Sequence, residues 1–337
     1  MNNMKALTYT RYGNPDVLQL SEVDRPTPKD NEVLVKIHAS SINPADWHYV
    51  TGLPYFMRLT AGLRRPKDPI PGLDLAGTVE AVGPTATRFA PGDRVYGEVG
   101  SAWAEYAALP ETKLEPTPSN LSFAEAAAVP VAGLTAIQGL RNHGNLTEET
   151  GPGDGAGPKR VLINGASGGV GHFAVQIAKA YGAHVTGVCS TRNLDLVRSL
   201  GADRVIDYTV DDYTELGDRY DIVFDFAANR PLSAIRRVLA DDAVYLPCSD
   251  RVGGKSFGPV RWMLGNMIAG KLRSGFSVKF LLAEQTHEDM SMLTELCESG
   301  AVRPILDKES YELATVADGL RAQETGRAAG KKSVVIQ

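Results

Sequence analysis

The stretch VLINGASGGVG at residues 161–171 constrains the fold most strongly, because a short apolar run leads directly into a glycine-rich turn and then into an amphipathic segment. Ala166, Gly168 and Gly171 have the spacing of the dinucleotide fingerprint, with alanine in its first place and an additional Gly169. Small residues let the backbone approach a pyrophosphate, whose charge the N–H groups at the start of the next helix bind. The predicted contacts are Ala166, Ser167, Gly168, Gly169, Val170 and Gly171.

The segments around this turn alternate between strand and helix patterns. Apolar runs such as RVLIN, HVTGVC, RVIDY, DIVFDF, AVYLPC and SVKFLL are separated by helical patterns, among them one around 232–239. This alternation predicts a parallel sheet with crossover helices. Residues 1 to about 115 are instead turn-rich and β-rich, and Ser122 with Glu125 forms a capping box that predicts the start of an alanine-rich helix.

Composition excludes several function classes. The 337 residues carry a net charge of -5, which argues against broad attraction to nucleic acid or anionic lipid but leaves local basic patches open. No run of eighteen apolar residues occurs, and the first residues lack a secretory signal pattern. The three cysteines, Cys189, Cys248 and Cys297, have no metal or disulfide spacing, so we expect a soluble cytoplasmic protein.

The segment CSTRN indicates which dinucleotide binds. An NAD site carries a carboxylate at the end of its second strand, about 20 residues after the glycine turn, to accept from the ribose hydroxyls. Here Ser190 and Arg192 offer donors instead, and Arg192 could pair with a 2′-phosphate. We therefore predict NADPH as the cofactor; the alternative is that Arg192 is a solvated residue at a helix start.

Further motifs carry a family resemblance: SINPADW, PGLDLAGTVEAVG, APGDRVYG, AAAVPVAGLTA, INGASGGVG and LGADRVIDY. With them the chain resembles a medium-chain dehydrogenase/reductase of the zinc-free quinone oxidoreductase branch. The resemblance implies an α/β fold, with a GroES-like β-rich catalytic domain at 1–121 and 284–337 and a Rossmann doubly wound parallel-sheet domain at 122–283. It also implies a nicotinamide in a cleft and a homodimer in which the last Rossmann strand, SVKFLL, pairs across subunits.

Zinc-dependent relatives in this family have a cysteine ligand in the segment matching SINPAD and a histidine and glutamate after the glycine of PGLDLAG. Here the first segment has no cysteine, and Gly72 is followed by Leu73 and Asp74, so we expect no metal. Without a metal to acidify an alcohol, hydride transfer from NADPH to a quinone or an α,β-unsaturated carbonyl compound is favoured. Alternatives are an enoyl-thioester reductase and a non-catalytic NADPH-binding redox sensor.

The resemblance assigns catalytic candidates to the SINPADW segment and the residues after it. Asn43 could donate its amide to a substrate oxygen or be a turn residue, and Asp46 could orient its neighbours or be a cap. Several relatives have a tyrosine five residues after the matching asparagine. His48 stands in that place here, followed by Tyr49, and either could serve the developing oxyanion.

Further cofactor contacts follow from the same resemblance. It places Thr135 against the nicotinamide ring, and Tyr208 and Asn229 at positions that contact the adenosine and the ribose or nicotinamide side. Backbone groups of Leu246, Pro247 and Cys248 are expected to meet the carboxamide.

Two surface segments remain. RLTAGLRRPK concentrates Arg58, Arg64, Arg65 and Lys67, which we interpret as a solvated loop or as a rim that steers an anionic substrate such as an acyl thioester. The glycine-rich segment 143–159 has the composition of a flexible surface loop.

Overall fold

The computed structural model describes residues 3–147, 157–248 and 275–337. The chain forms two compact units, a first unit of Met1–Leu134, Gln285–Ser299 and Pro304–Gln337 and a second unit of Thr135–Glu284 and Gly300–Arg303. The expected boundary at 122 therefore lies inside the first unit. The reason is local, because Asp74 accepts the Val131 N–H at 3.0 Å and holds this segment to the first unit's sheet. Most of the expected 143–159 loop lies outside the described residues.

The first unit is built on a mainly antiparallel sheet with one parallel pair of strands at its edge. Its described strands are β1 (Asn3–Thr8), β2 (Gln19–Asp24), β3 (Glu32–Ile42), β4 (Asp74–Val82), β5 (Arg94–Glu98), β6 (Tyr106–Pro110), β7 (Glu115–Pro116), β14 (Leu306–Glu312) and β15 (Lys331–Val335). Strands β1 and β2 pair with each other, and the larger sheet has the order β14-β15-β3-β4-β5-β7, with β6 also paired to β3. Strand β15 thus pairs with β3.

Short helices complete the first unit. They are α1 (Pro44–Thr51), α2 (Arg58–Ala61), α3 (Phe123–Ala126), α4 (Pro130–Gln138, which continues into the second unit), α8 (His287–Glu298) and α9 (Val316–Glu324). The Ser122 capping box is confirmed, since Ser122 Oγ accepts the Glu125 N–H and the Glu125 carboxylate accepts the Ser122 N–H. The alanine-rich helix is shorter than expected, because α3 ends at Ala126 and a new helix begins at Pro130, a residue suited to a first helical position.

The second unit is a parallel sheet with helices between its strands. Its described strands are β8 (Arg160–Asn164), β9 (His184–Cys189), β10 (Arg204–Asp207), β11 (Tyr220–Asp225), β12 (Leu239–Pro247) and β13 (Phe276–Val278), and its helices are α5 (Gly171–Ala180), α6 (Leu194–Ser199) and α7 (Leu232–Ile235). The strand order is β10-β9-β8-β11-β12-β13. The order reverses between β8 and β11, and ligands bind at the carboxyl ends of strands beside such a reversal.

Two elements of the second unit are shorter than the sequence suggested. Helix α7 ends at Ile235, a 3-10 turn follows over Arg236–Val238, and β12 starts at Leu239 because Leu239 pairs with Tyr220 of β11. The SVKFLL segment contributes only the short edge strand β13. None of the helices in the described ranges combines the length and the apolarity that a membrane crossing requires.

Candidate cofactor and active site

The glycine turn between β8 and α5 is fixed by close backbone contacts. Gly165 has a φ of 90°, a conformation that favours glycine, and both its N–H and that of Ala166 donate to the Val188 carbonyl. A Cβ on Gly171 would lie 2.1 Å from the Gly165 carbonyl oxygen, so only glycine allows the helix to approach the strand this closely. A Cβ on Gly168 would meet only that carbonyl, at 3.2 Å.

The turn leaves backbone donors for a ligand. Gly169 and Val170 are half-buried, and their N–H groups donate to no acceptor within the described part of the chain. Both lie immediately before α5, where unpaired N–H groups and the helix dipole attract an anion. These two donors and the bare face of Gly168 fit the pyrophosphate of a dinucleotide.

The carboxyl end of β9 faces this turn. Ser167 is buried, and its hydroxyl accepts a hydrogen bond of 2.8 Å from the side chain of Asn193, a residue that the sequence analysis missed. Ser190 is half-buried and Arg192 is exposed, so the predicted 2′-phosphate contact is sterically accessible. The carboxylate at this edge belongs to Asp207 of β10, and hydrogen bonds from Thr191 and Thr209 hold its pKa below the usual range.

A buried polar network underlies the strand reversal. The Asp225 carboxylate accepts from the Asn164 amide at 2.8 Å and from the Tyr245 hydroxyl at 3.1 Å, joining the ends of β8, β11 and β12. It also accepts the Ala228 N–H at 2.8 Å, which fixes the turn after β11. Burial raises the pKa of Asp225. An acidic residue ending a strand beside the reversal was the available sequence signal for this network.

Other predicted cofactor contacts are distributed around the second unit. Tyr208 is exposed at the end of β10, and its N–H donates to the Cys189 carbonyl, which brings it to the end of β9. Asn229 is exposed after the turn that Asp225 fixes, and Thr135 is half-buried on α4. Their accessibility fits ligand contacts, and their assignment to the cofactor stays a prediction.

The expectation that Leu246, Pro247 and Cys248 offer backbone groups to the carboxamide stays a prediction, and the structure narrows which groups they can offer. Pro247 has no N–H, and the Cys248 N–H donates to the Asp225 carbonyl at 2.8 Å. Leu246 lies within β12, paired with Phe224 of β11. Pro247 therefore offers no donor, and the Cys248 N–H is already engaged with β11. This end of β12 therefore offers carbonyl oxygens as hydrogen-bond acceptors for a carboxamide.

In the first unit, four polar residues lie side by side across adjacent strands. Lys331 of β15 is next to Asn43, which follows β3, and Asp74 of β4 lies opposite Glu98 of β5. The Lys331 ammonium donates to the Asn43 side-chain oxygen and, at 3.3 Å, to the Asp74 carboxylate. The Asn43 amide nitrogen donates to Asp74 at 2.9 Å. Asn43 is buried, and the oxygen and one N–H of its amide have partners inside the protein, so its donation to a substrate oxygen stays a prediction.

Asp74 is the centre of this group. Besides Lys331 and Asn43, its carboxylate accepts the Ser41 hydroxyl at 2.6 Å and the Val131 N–H at the start of α4. Glu98 is half-buried, and burial, followed by the Asp74 charge, raises its pKa to about 7. Glu98 and Lys331 were not predicted from the sequence. An acid at the end of the strand VYGE and a lysine starting a buried strand were the available signals.

Asp46 lies in the first turn of α1. One carboxylate oxygen, Oδ2, accepts the Asn43 N–H at 2.7 Å, which agrees with the cap role considered for it. The other oxygen, Oδ1, is buried without a hydrogen-bond partner in the described structure. Burial, with a smaller contribution from the Asp74 charge, raises the pKa of Asp46 to about 7. With this pKa a substantial fraction of Asp46 is protonated near neutral pH, and its role as a catalytic residue stays a prediction.

His48 and Tyr49, one turn further along α1, are half-buried and can meet a ligand. The Leu53 carbonyl lies 2.6 Å from His48 Nδ1, and since a carbonyl only accepts, Nδ1 carries the proton. Neutral His48 therefore presents Nε2 as an acceptor, and only imidazolium donates there. Burial, followed by the charges of Glu98 and Asp46, raises the pKa of Tyr49, so its phenol stays a hydrogen-bond donor.

Comparison with known proteins identifies the family. A model described as the alcohol dehydrogenase GroES-like domain matches residues 29–137, and one described as zinc-binding dehydrogenase matches residues 200–335. The chain is 35% identical to the chloroplast envelope quinone oxidoreductase homolog of Arabidopsis thaliana, over 97% of both chains. The chain belongs to the medium-chain dehydrogenase/reductase superfamily, in its quinone-oxidoreductase-like branch.

Two further comparisons support this placement. This quinone-oxidoreductase-like chain is 34% identical to a chloroplastic NADPH-dependent alkenal/one oxidoreductase of Arabidopsis thaliana, over 97% of this chain and 78% of the relative. The solved quinone oxidoreductase from Coxiella burnetii superposes with a TM-score of 0.82 at 26% identity, covering 99% of this chain and 100% of that one. The predicted GroES-like and Rossmann fold class is confirmed, and a nicotinamide cofactor follows from the family.

Across the described ranges of this quinone-oxidoreductase-like protein, no three or more His, Cys, Asp or Glu side chains are grouped so that they could hold a metal ion. At Asn43 and Asp74 the contacting cation is the Lys331 ammonium. This ammonium balances the charge of Asp74 in a buried setting, where an uncompensated carboxylate is costly.

The raised pKa of Asp46 predicts a pH dependence of folding stability. Between its ordinary pKa of 3.8 and about 7, the folded protein retains a proton that the unfolded chain releases. Stability therefore falls as pH rises through this window. We expect Asp46→Asn to remove about 2 kcal/mol of that fall, measured by urea unfolding at pH 5 and pH 8. Parallel pH profiles for the two proteins would show that Asp46 ionises normally when folded.

Proposed function

We propose that this protein transfers hydride from NADPH to a quinone or an α,β-unsaturated carbonyl compound without a metal ion. The observation that carries the proposal is the β8–α5 turn, where the Gly169 and Val170 N–H groups and the bare Gly168 fit a pyrophosphate. The two Arabidopsis relatives named above, a quinone oxidoreductase homolog and an alkenal/one oxidoreductase, support these acceptor classes. The enzyme is an oxidoreductase.

The second unit's residues hold the cofactor. The β8–α5 turn binds the pyrophosphate, Ser190 and Arg192 bind the adenosine ribose and its 2′-phosphate, and Tyr208 covers the adenine. The Asp225 network keeps the ends of β8, β11 and β12 in place. The nicotinamide supplies the hydride when it is bound.

The first unit's residues serve the acceptor. As hydride reaches an enone or quinone, charge develops on the acceptor oxygen, which requires a donor. The Tyr49 phenol is a donor because its raised pKa keeps it protonated, and His48 becomes one at Nε2 when protonated. Asp46 and Glu98, with pKa values raised to about 7, are partly protonated near neutral pH, which reduces the negative charge near Tyr49.

Metal independence is supported by the residues at the family's ligand segments. The SINPAD segment has no cysteine, and Leu73 and Asp74 stand after Gly72. The Lys331 ammonium binds Asn43 and Asp74 at these segments.

The proposed function is tested by NADPH oxidation by chelator-treated protein with a quinone, an enone and an enoyl thioester. Turnover that survives chelation supports the proposal, and the fastest acceptor separates the chemistries. Cofactor binding without turnover of any acceptor would instead favour a redox sensor.

Arg192 favours NADPH over NADH as the cofactor. Its side chain is exposed beside Ser190, and the nearby Asp207 carboxylate is engaged with Thr209. We expect Arg192→Ala to raise the KM for NADPH by roughly 10- to 100-fold, the value of a charged hydrogen bond, with little change for NADH. The matched control is Arg198→Ala, an exposed arginine on α6 that pairs with Asp195. Equal effects on both cofactors would remove the 2′-phosphate role.

A homodimer stays part of the proposal. Strand β13 is at the end of the second unit's sheet and pairs on one side with β12 within the described residues, so its other side is a possible site of strand addition. Light scattering that gives the mass of one chain would contradict a dimer.

The cytoplasmic location expected from composition likewise stays a prediction, which fractionation of the source cells would test.

A further inference from the structure

Residues 53–67, here termed the basic apolar loop, expose large apolar side chains. Leu59 and Leu63 are 71% and 68% exposed, and Tyr55 and Phe56 are also exposed. Tyr55 and Phe56 lie in a 3-10 turn, and Leu59 lies in the helical turn that follows it. Because Leu59 comes four residues after Tyr55 and three after Phe56, the three side chains share one face. Leu63 follows directly after these turns. An exposed apolar group of this kind marks an interaction surface.

The loop is held from inside, so the apolar group is presented on a fixed support. Arg58 Nε donates to the Gly52 carbonyl at 3.0 Å, and its guanidinium lies over the rings of Tyr12 and Tyr55. The Tyr12 hydroxyl donates to the Gly62 carbonyl at 2.6 Å, and the Lys67 N–H donates to the Ala61 carbonyl at 2.9 Å. Arg58 thus works as an internal clamp, while the other cations of the loop face solvent.

The charge of the loop is opposite to that of the protein. The segment LPYFMRLTAGLRRPK has four basic residues and no acidic one, in a chain with a net charge of -5. Arg64, Arg65 and Lys67 are exposed and form no ion pair with any residue that the structure describes. Exposed cations beside exposed leucines are the pattern of a surface that lies on an anionic bilayer.

From this juxtaposition we infer that the basic apolar loop docks the protein onto anionic lipid surfaces. Phe56, Leu59 and Leu63 enter the boundary of the acyl chains, and Arg64, Arg65 and Lys67 contact the headgroup phosphates. A second copy of this chain fits less well, because it would bring like charges together. A soluble acyl thioester, which combines anionic groups with an apolar acyl chain, is the alternative occupant, and flotation with vesicles in the absence of any thioester distinguishes the two. The inference goes beyond the proposed reductase activity and does not rest on it.

Flotation of the full chain with vesicles tests the inference. The vesicles are phosphatidylcholine with and without phosphatidylglycerol, and the variants are Leu59→Ser with Leu63→Ser, and Arg64→Gln with Arg65→Gln. We expect wild type to float only with the anionic vesicles and each double variant to lose on the order of tenfold in bound fraction at low salt. Matched controls are Val210→Ser with Leu282→Ser, which are exposed apolar residues elsewhere, and Arg236→Gln with Arg237→Gln, an exposed arginine pair of the second unit. Both controls are expected to bind like wild type.

Three results would overturn the inference. One is the absence of wild-type flotation with phosphatidylglycerol vesicles. Another is flotation of the leucine variant equal to that of wild type, which would mean that the loop attracts anions in general and that its leucines do not enter the bilayer. The third is equal loss in the control variants. Because flotation needs no turnover, failure here leaves the reductase proposal standing, and failure of the reductase proposal leaves docking standing.

Discussion

Lys331→Met is expected to lower the free energy of unfolding by about 3 to 5 kcal/mol. The ammonium is buried and contacts the Asn43 oxygen and the Asp74 carboxylate. Without it, the fully buried Asp74 has neutral donors alone, and Asp46 and Glu98 lose a cation that lowers their pKa values. Removing one partner of a buried pair leaves an uncompensated charge, and that is what makes this loss large.

The matched control is Lys332→Met, one residue along β15. Lys332 pairs with Asp307 at 3.2 Å, and the Asp307 side chain is partly exposed, so we expect a cost of about 1 kcal/mol. Adding Asp74→Asn to Lys331→Met removes the unpaired charge and should recover part of the loss. Urea unfolding of the four proteins measures both effects. A Lys331→Met cost no larger than that of Lys332→Met would contradict the role assigned to this ammonium.

Two glycine variants separate folding from cofactor binding. Gly171→Ala places a Cβ 2.1 Å from the Gly165 carbonyl oxygen and 2.9 Å from Ala166 Cα, so helix α5 must move away from β8. We expect a loss of about 2 to 3 kcal/mol in unfolding free energy and of NADPH binding together. Gly168→Ala meets one atom at 3.2 Å and should fold within about 1 kcal/mol of wild type.

Although it folds, Gly168→Ala is expected to weaken NADPH binding at least roughly tenfold, because the methyl group occupies the space of the pyrophosphate. Calorimetric titration with NADPH, beside a thermal melt of the same sample, measures the two quantities. Wild-type affinity in a folded Gly168→Ala variant would mean that no pyrophosphate lies on this turn, and a melting point as low as that of Gly171→Ala would mean that Gly168 is needed for packing.

The cofactor half of the fold was predictable because its signals are local. The glycine spacing, the strand before it and the helix after it lie within residues 160–180, and regular alternation then implies the parallel sheet. The backbone contacts of Pro247 and Cys248 were not predictable. The engagement of the Cys248 N–H depends on how far the β11–β12 ladder extends, which a sequence pattern does not specify.

The buried polar group of the first unit was only partly predictable. Asn43 and Asp46 were found because they lie in one short motif, but Lys331 is 288 residues from Asn43. Their contact depends on the pairing of β15 with β3, which the apolar run after Lys331 does not specify. Glu98 was missed for the same reason, since its raised pKa arises from burial and from Asp74 on the neighbouring strand.

Deuteride transfer tests whether this protein moves hydride from NADPH to an acceptor without a metal ion. Chelator-treated protein would be given NADPH deuterated at the transferring position of the nicotinamide together with an α,β-unsaturated ketone, and the product analysed by mass spectrometry and NMR. We expect a saturated ketone with deuterium at the β-carbon and a solvent-derived proton at the α-carbon. Bound NADPH with no reduced product, or turnover that stops on chelation and returns with added zinc, would contradict it.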